Sequence, residues 1–182
     1  MPLVTPHVWV PGTDYGTATN LNTVTDAILQ HQGRTPGTGS VLDFAIMRQT
    51  VVQAVANVSW TSVLLDTEDV DSAGSHSTVT NTNRFTAATP GYYQVNASAS
   101  FAANATGIRG IRLLISNTTI VQGNVVLLTG TSTFNISLSK LVILGAGAWV
   151  DMQVFQSSGG ALNTQYTAND SGCSMDAHWV HA

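Results

Sequence analysis

From Val41 onward the chain is written in short runs with a period of two, each ended by a cluster of glycine, asparagine or serine. No other feature limits the fold as much. Strand character covers residues 40–48, 50–59, 62–66, 91–101, 108–116, 119–122, 125–128, 133–144, 149–156 and 175–181. Ser116-Asn117-Thr118, Gly123-Asn124, Gly145-Ala146-Gly147 and Ser157-Ser158-Gly159-Gly160 punctuate them. About ten short strands at this spacing predict an all-β sandwich or jelly roll over 41–182. Alternation assigns the faces. Phe134, Ile136 and Leu138 should point into a core while Asn135, Ser137 and Ser139 point away, and Val150, Met152 and Val154 should oppose Asp151, Gln153 and Phe155. Residues 67–82 lack strand character and read as a polar loop.

Residues 1–40 differ. They hold Pro2, Pro6, Pro11 and Pro36 together with Gly33, Gly37 and Gly39, and they read as a loop-rich N-terminal segment with one short helix. Thr17 or Thr19 can cap that helix, Leu21, Val24 and Ile28 recur at helical spacing, and Gly33 stops it. About four turns with so narrow an apolar stripe are marginal alone, so the helix is expected to lean on another surface as an attachment element.

Composition narrows the function. Charged residues make up 9% of the 182, against about 25% in an average soluble protein, and Lys140 is the one lysine. Solubility must come from Thr, Ser, Asn and Gln, which suits an exposed particle component better than a cytosolic enzyme. A net charge of −4 with six basic residues cannot track a phosphate backbone, so no nucleic-acid partner is expected. No run approaches the roughly 18 apolar residues that cross a bilayer, so no membrane insertion is expected. The first residues lack a basic region followed by an apolar one and do not read as a secretory signal, so the N-x-S/T sequons are expected to be unused. A lone Cys173 permits neither an internal disulfide nor a cysteine-based zinc site.

Phe85, five residues, Gly91, one residue and Tyr93 form a pattern that resembles the F-x5-G-x-Y core of the complement C1q globular-head family. Trp60-Thr61, Leu65-Asp66, Asp69, Asp71, His76, Asn81 and Arg84 surround it, and residues 107–120, 149–163 and 175–180 look like later strands of that family. The resemblance covers about 57–182. It implies the ten-stranded trimeric jelly roll that the C1q heads share with the tumour necrosis factors. Thr78 stands where an aromatic is usual, Ala148 replaces an acid, and no Gly-X-Y stalk precedes the domain, so vertebrate complement function is not implied. Residues 7–33 resemble the short starts of minor tail proteins of tailed bacteriophages, especially those of actinobacteria, in which a Trp-containing loop precedes a TA-x-x-LN helix start. Thr17-Ala18-Thr19-Asn20-Leu21-Asn22 approximates that start.

Together the two resemblances imply a structural virion protein, a homotrimer of C1q/TNF-like jelly rolls in a phage tail or tail tip. A three-fold interface lets each protomer bury an apolar sheet face. Leu21, Val24 and Ile28 would pack on the same axis, and the segment 1–40 would dock onto other tail or baseplate proteins. The outward domain would touch a receptor or glycan on the host cell. Two alternatives stay open: a capsid decoration or head fibre with a purely structural role, and a bacterial secreted adhesion module.

Chemistry is sparse. His7, His31, His76, His178 and His181 form no compact ligand motif, and no G-x-S-x-G occurs, so no enzyme and no catalytic residue is expected. The match to the family suggests a structural hydrogen-bonding role for His76. Cys173 reads as a small buried filler. No cofactor is expected, with Asp66, Glu68, Asp69 and Asp71 as the best calcium candidates, although they lack the EF-hand glycine and distal glutamate. Trp60, Phe85, Tyr93, Phe101, Phe134 and Trp149 should be core or trimer interface. Tyr166 in the polar stretch 163–169 is the glycan-contact candidate, or else anchors its own loop.

Overall fold

The computed structural model describes residues 43–127, 132–166 and 172–182. The expected N-terminal helix with Leu21, Val24 and Ile28 lies outside them. The strands are β1 (Phe44–Arg48), β2 (Ala54–Val55), β3 (Ser59–Ser62), β4 (Thr67–Asp71), β5 (Arg84–Thr86), β6 (Gly91–Phe101), β7 (Ile108–Ile115), β8 (Thr119–Leu127), β9 (Phe134–Leu144), β10 (Trp149–Gln156), β11 (Leu162–Asn163) and β12 (Ser174–His181). They form an all-β sandwich of jelly-roll type, as the punctuated runs require. One sheet has five strands in the order β4-β1-β12-β6-β9, the other four in the order β5-β10-β7-β8, and β11 pairs with β2.

The long strands follow their sequence period. β6 pairs with β9 over its full eleven residues, from Gly91 opposite Leu144 to Phe101 opposite Phe134. Their alternate residues Tyr93, Val95, Ala97, Ile136, Leu138 and Val142 enter the core between the sheets, where Ile111, Leu113, Val150, Met152 and Val154 meet them. The tight turn after β7 uses left-handed backbone at Ser116 and Asn117, a conformation that a short polar side chain tolerates best.

Four expectations are corrected. Gly123-Asn124 does not separate two strands. β8 runs through it, with Gly123 opposite Arg112 and Asn124 opposite Ile111, because ladder hydrogen bonds belong to the backbone and a bulge beside Leu113 absorbs the register shift. The stretch 67–82 is not wholly loop. Its first five residues, Thr-Glu-Asp-Val-Asp, are the edge strand β4, where charge protects an otherwise open edge.

The expected strands at 50–59 and 62–66 shrink to β2 and shift to β3. Glutamine side chains supply the bonds that a ladder would have made: Gln53 Nε2 donates to the Ser62 carbonyl at 2.9 Å and Leu64 N–H donates to Gln53 Oε1 at 3.0 Å. Finally, Asp151 is fully buried although it sits on the face of β10 opposite the core. β3 runs beside β10 and sends Ser62 and Trp60 over that face.

Candidate interaction surface

The motif residues meet in one place. Phe85 and Tyr93 are fully buried with ring centroids 5.4 Å apart. At Gly91, φ is 149°, and a Cβ there would stand 2.5 Å from the His181 carbonyl oxygen and 2.5 Å from the Trp179 indole nitrogen. Only glycine lets β12 close over the start of β6. The Tyr93 hydroxyl bonds the Asp43 carboxylate and lies 2.6 Å from the Thr89 carbonyl. Burial, reinforced by Asp43, pushes the phenol far above its ordinary range.

Asp43 also accepts from Ser75 Oγ, from Ala88 N–H at 2.7 Å and from Thr89 N–H at 3.2 Å. This carboxylate ties the entry of β1 to the turn before β6. Its one sequence signal is an acid inside the otherwise apolar Val41-Leu42-Asp43-Phe44-Ala45. The cluster is a structural lock.

Two sheet faces point away from the core, and they differ. On the five-stranded sheet, Tyr92 stands opposite Ile143 and stacks on His181 at 4.5 Å. Leu141 stands opposite Gln94, and beyond Gln94 and His178 lie Phe44, stacked on His178 at 5.8 Å, and Ile46 beside Val70. Ile143 is 64% exposed and Leu141 47%. The neighbouring half of the face is a hydrogen-bonded lattice. Gln94 Nε2 donates to Ser139 Oγ at 2.7 Å, Ser139 Oγ to Asn96 Oδ1 at 2.7 Å, and Asn96 Nδ2 to Asp176 Oδ2 at 2.8 Å. His178 Nε2 lies 3.0 Å from the same Asp176 oxygen. A shallow basin opens there among Asn96, Ser98, Ser137, Ser139, Ser174 and Asp176.

On the four-stranded sheet the outer face is covered over β7 and β10, while Ile120, Val125 and Leu127 on β8 stay exposed. Trp60 of β3 packs on Phe155 at 5.3 Å and sits over Gly110, where a Cβ would be 3.0 Å from its ring. The Arg112 guanidinium stacks 4.3 Å above Trp60 and donates to Gln153 Oε1 at 2.9 and 2.6 Å. Gln153 Nε2 and Ser62 Oγ both donate to Asp151 Oδ2, at 3.2 and 2.6 Å. Burial pushes the Asp151 carboxyl up, and bonds from Ser62, Asn83 and Gln153 with the charge of Arg112 only partly offset it. Burial also lowers Arg112.

The other sequence candidates are dispersed. Asp66 accepts from Thr50 N–H at 2.6 Å and Thr50 Oγ1 at 2.7 Å. These bonds outweigh its burial and hold its carboxyl below the ordinary range. Asp69 pairs with Arg48 at 2.7 Å, and Asp71 accepts from the amides of Ala73, Ser75 and His76. The acidic run therefore does not converge, and no group of three or more His, Cys, Asp or Glu suited to a metal occurs among the described residues.

The His76 ring lies between the carbonyls of Arg84 and Leu65, 2.9 Å from each. Cys173 is buried, its thiol pushed up to about 11 by that burial, which suits a filler and not a nucleophile. Tyr166 is half-buried, with its ring against Gly172 and its hydroxyl toward Arg48. Arg109, unnoticed in the sequence, is fully buried and donates to the carbonyls of Asn104, Thr106 and Ile108.

No protein-family model matches the sequence, and no curated protein does. Solved structures do. Eiger TNF from S. frugiperda superposes with a TM-score of 0.59 at 11% identity, covering 78% of this chain and 95% of that one. The globular domain of zebrafish complement 1qA gives 0.54 at 14%, covering 76% and 98%. Murine APRIL gives 0.55 at 6%, covering 75% and 97%. The fold is the C1q/TNF jelly roll. Within that fold the Phe85–Gly91–Tyr93 cluster belongs to the framework, and exposed apolar side chains stand on the open face of the five-stranded sheet and on β8.

Proposed function

We propose that the chain is a non-catalytic structural protein of a tailed-phage particle, a homotrimer in the tail or tail tip that presents its jelly rolls to a glycan on the host surface. One observation carries the assembly: Ile143, Tyr92 and Leu141 at one edge of the open sheet face and Phe44, Ile46 and Val70 at the other, with Gln94, His178 and Asp176 of the polar lattice between them. Exposed apolar side chains at both edges of one sheet face, on a protein with so few charges, favour burial against another copy. The trimeric family that the sequence resembles supports three copies, and the resemblance of residues 7–33 to phage tail proteins supports the particle. Three equivalent surfaces convert weak single contacts into useful binding, with avidity gains of roughly 10²–10⁴.

Light scattering on the full chain tests the assembly. A mass near 57 kDa, three times the 19.1 kDa chain, is expected, with Ile143→Asp reducing it to one chain while circular dichroism stays that of a β protein. A single-chain mass for the unmutated protein overturns the homotrimer. Competition of phage adsorption by the free protein tests the host-surface role, and failure to compete at saturating concentration favours a purely structural part.

A further inference from the structure

A small recess lies at the edge of the four-stranded sheet, away from the open face of the five-stranded one. Gly74 and Ser77 form one wall, Thr80 and Asn81 the other, and Arg84 and Thr86 of β5 the floor. Its volume is about 230 Å³. That is below the roughly 300–1,000 Å³ that takes a drug-sized ligand and is enough for one sugar ring.

The walls are held in place. Asp71 accepts from the Ala73, Ser75 and His76 amides at 3.2, 3.0 and 3.0 Å, and Ser77 Oγ accepts from the amides of Val79 and Thr80 at 3.3 and 3.2 Å. Gly74 and Asn81 take left-handed backbone, and the His76 ring bridges the Leu65 and Arg84 carbonyls behind them. A preformed recess does not have to be ordered by its ligand.

The floor carries the Arg84 cation. The Arg84 guanidinium lies 4.5 Å from the centroid of the Trp149 ring, which fixes its plane. Its side chain makes no hydrogen bond or ion pair with the described residues, leaving a planar fork of donors unmet. Asp151 is its cross-strand neighbour, but that carboxylate is bonded to Ser62 and Gln153 and paired in charge with Arg112. No acidic side chain lines the recess, and Asp71 turns both its oxygens to loop amides.

We infer that this recess binds an acidic saccharide, with Arg84 taking its carboxylate or sulfate through paired N–H donors and Thr80, Asn81 and Thr86 facing the ring hydroxyls. Guanidinium matches a planar oxyanion bidentately, and the surrounding hydroxyls and amide suit a polyol. The inference rests on the glycan reading for the kind of ligand, while the recess itself stands on its own geometry.

Nuclear magnetic resonance titration of the full chain tests it, with methyl glucuronide, glucose 6-sulfate and methyl glucoside as probes. Shifts at the Arg84 side chain, the Asn81 amide and Thr86 are expected with millimolar glucuronide or sulfate, weakening as salt rises, with at least tenfold weaker binding of methyl glucoside. The two acidic probes tell carboxylate from sulfate. Arg84→Gln should weaken acidic-probe binding at least tenfold without changing thermal stability or solution mass. Equal binding of the neutral sugar, undiminished binding by Arg84→Gln, or no shift with either acidic probe at 50 mM overturns the inference. Solution mass and adsorption competition are read separately. A chain that assembles and competes but ignores acidic sugars loses this inference alone, and one that binds them as a monomer loses only the assembly.

Discussion

The two outward sheet faces obey the same alternation and end differently. On β9, Asn135, Ser137, Ser139, Leu141 and Ile143 all stay exposed. On β10 the corresponding Asp151 is fully buried, and Gln153 and Phe155 are half-covered. The cause is one short strand. β3 brings Trp60 down onto Gly110, Phe155 and Arg112, so β7 and β10 have a lid within their own chain while β8 does not. Polar groups under a lid must find partners or destabilise the fold, which explains the run from Arg112 through Gln153 and Ser62 to Asp151. The open face meets no such demand, and its apolar side chains stay exposed.

Removing the lid should have the largest effect. Trp60→Ala exposes Phe155 and leaves Arg112 without its ring, and is expected to cost about 3 kcal/mol in urea unfolding, within the range for large aromatic truncations. Leu141→Ala on the open face should cost under about 0.5 kcal/mol in a monomeric chain. If its cost approaches that of Trp60→Ala and grows with protein concentration, the open face is buried by assembly.

Two glycines on the four-stranded sheet sharpen the contrast. Gly110→Ala drives a methyl to 3.0 Å from Trp60 and should cost about 1–3 kcal/mol by overpacking. Gly123→Ala meets the Arg112 side chain at an ordinary 3.6 Å and should be neutral or stabilising by about 0.5 kcal/mol. Equal costs would show that Trp60 does not press on the sheet.

Two acids should respond to pH with opposite signs. Burial raises Asp151, so the folded state holds its proton above the ordinary value of 3.8. Its contribution is fully present below that value and is lost as pH rises through the raised one. Asp151→Asn should therefore gain on the unmutated chain across that window in parallel unfolding curves. Asp66 is lowered, so its contribution is present above 3.8 and lost as pH falls through the lowered value. Asp66→Asn should be less stable near neutrality and converge with the unmutated chain in acid. The smallest effect is expected at Ser98→Ala, which removes two exposed bonds with Asn135 and should change stability by under about 0.5 kcal/mol.

Much of the fold was legible. The bounds of β6 and β10 follow from alternation and turn residues alone, because a strand buried on one face must repeat every second residue. Phe85, Gly91 and Tyr93 were legible as a cluster. β5 and β11 were not, since three and two residues carry no period. β8 was read as broken because Gly123-Asn124 resembles a turn, although a register-matched neighbour holds it straight. Arg84 was visible only as part of a resemblance, and nothing local to it reports that Trp149 lies beneath it.

By itself the sequence determined the class of fold, the core-facing sides of β9 and β10 and the near absence of surface charge. These depend on the order of side chains along a strand, which is local. Only the tertiary structure decided that the outer side of β10 is covered and that of β9 stays open. It also decided that the acids of 66–71 serve three separate structural tasks. Those outcomes depend on which strands stack across tens of residues, and a period of two contains no information about what lies above the sheet.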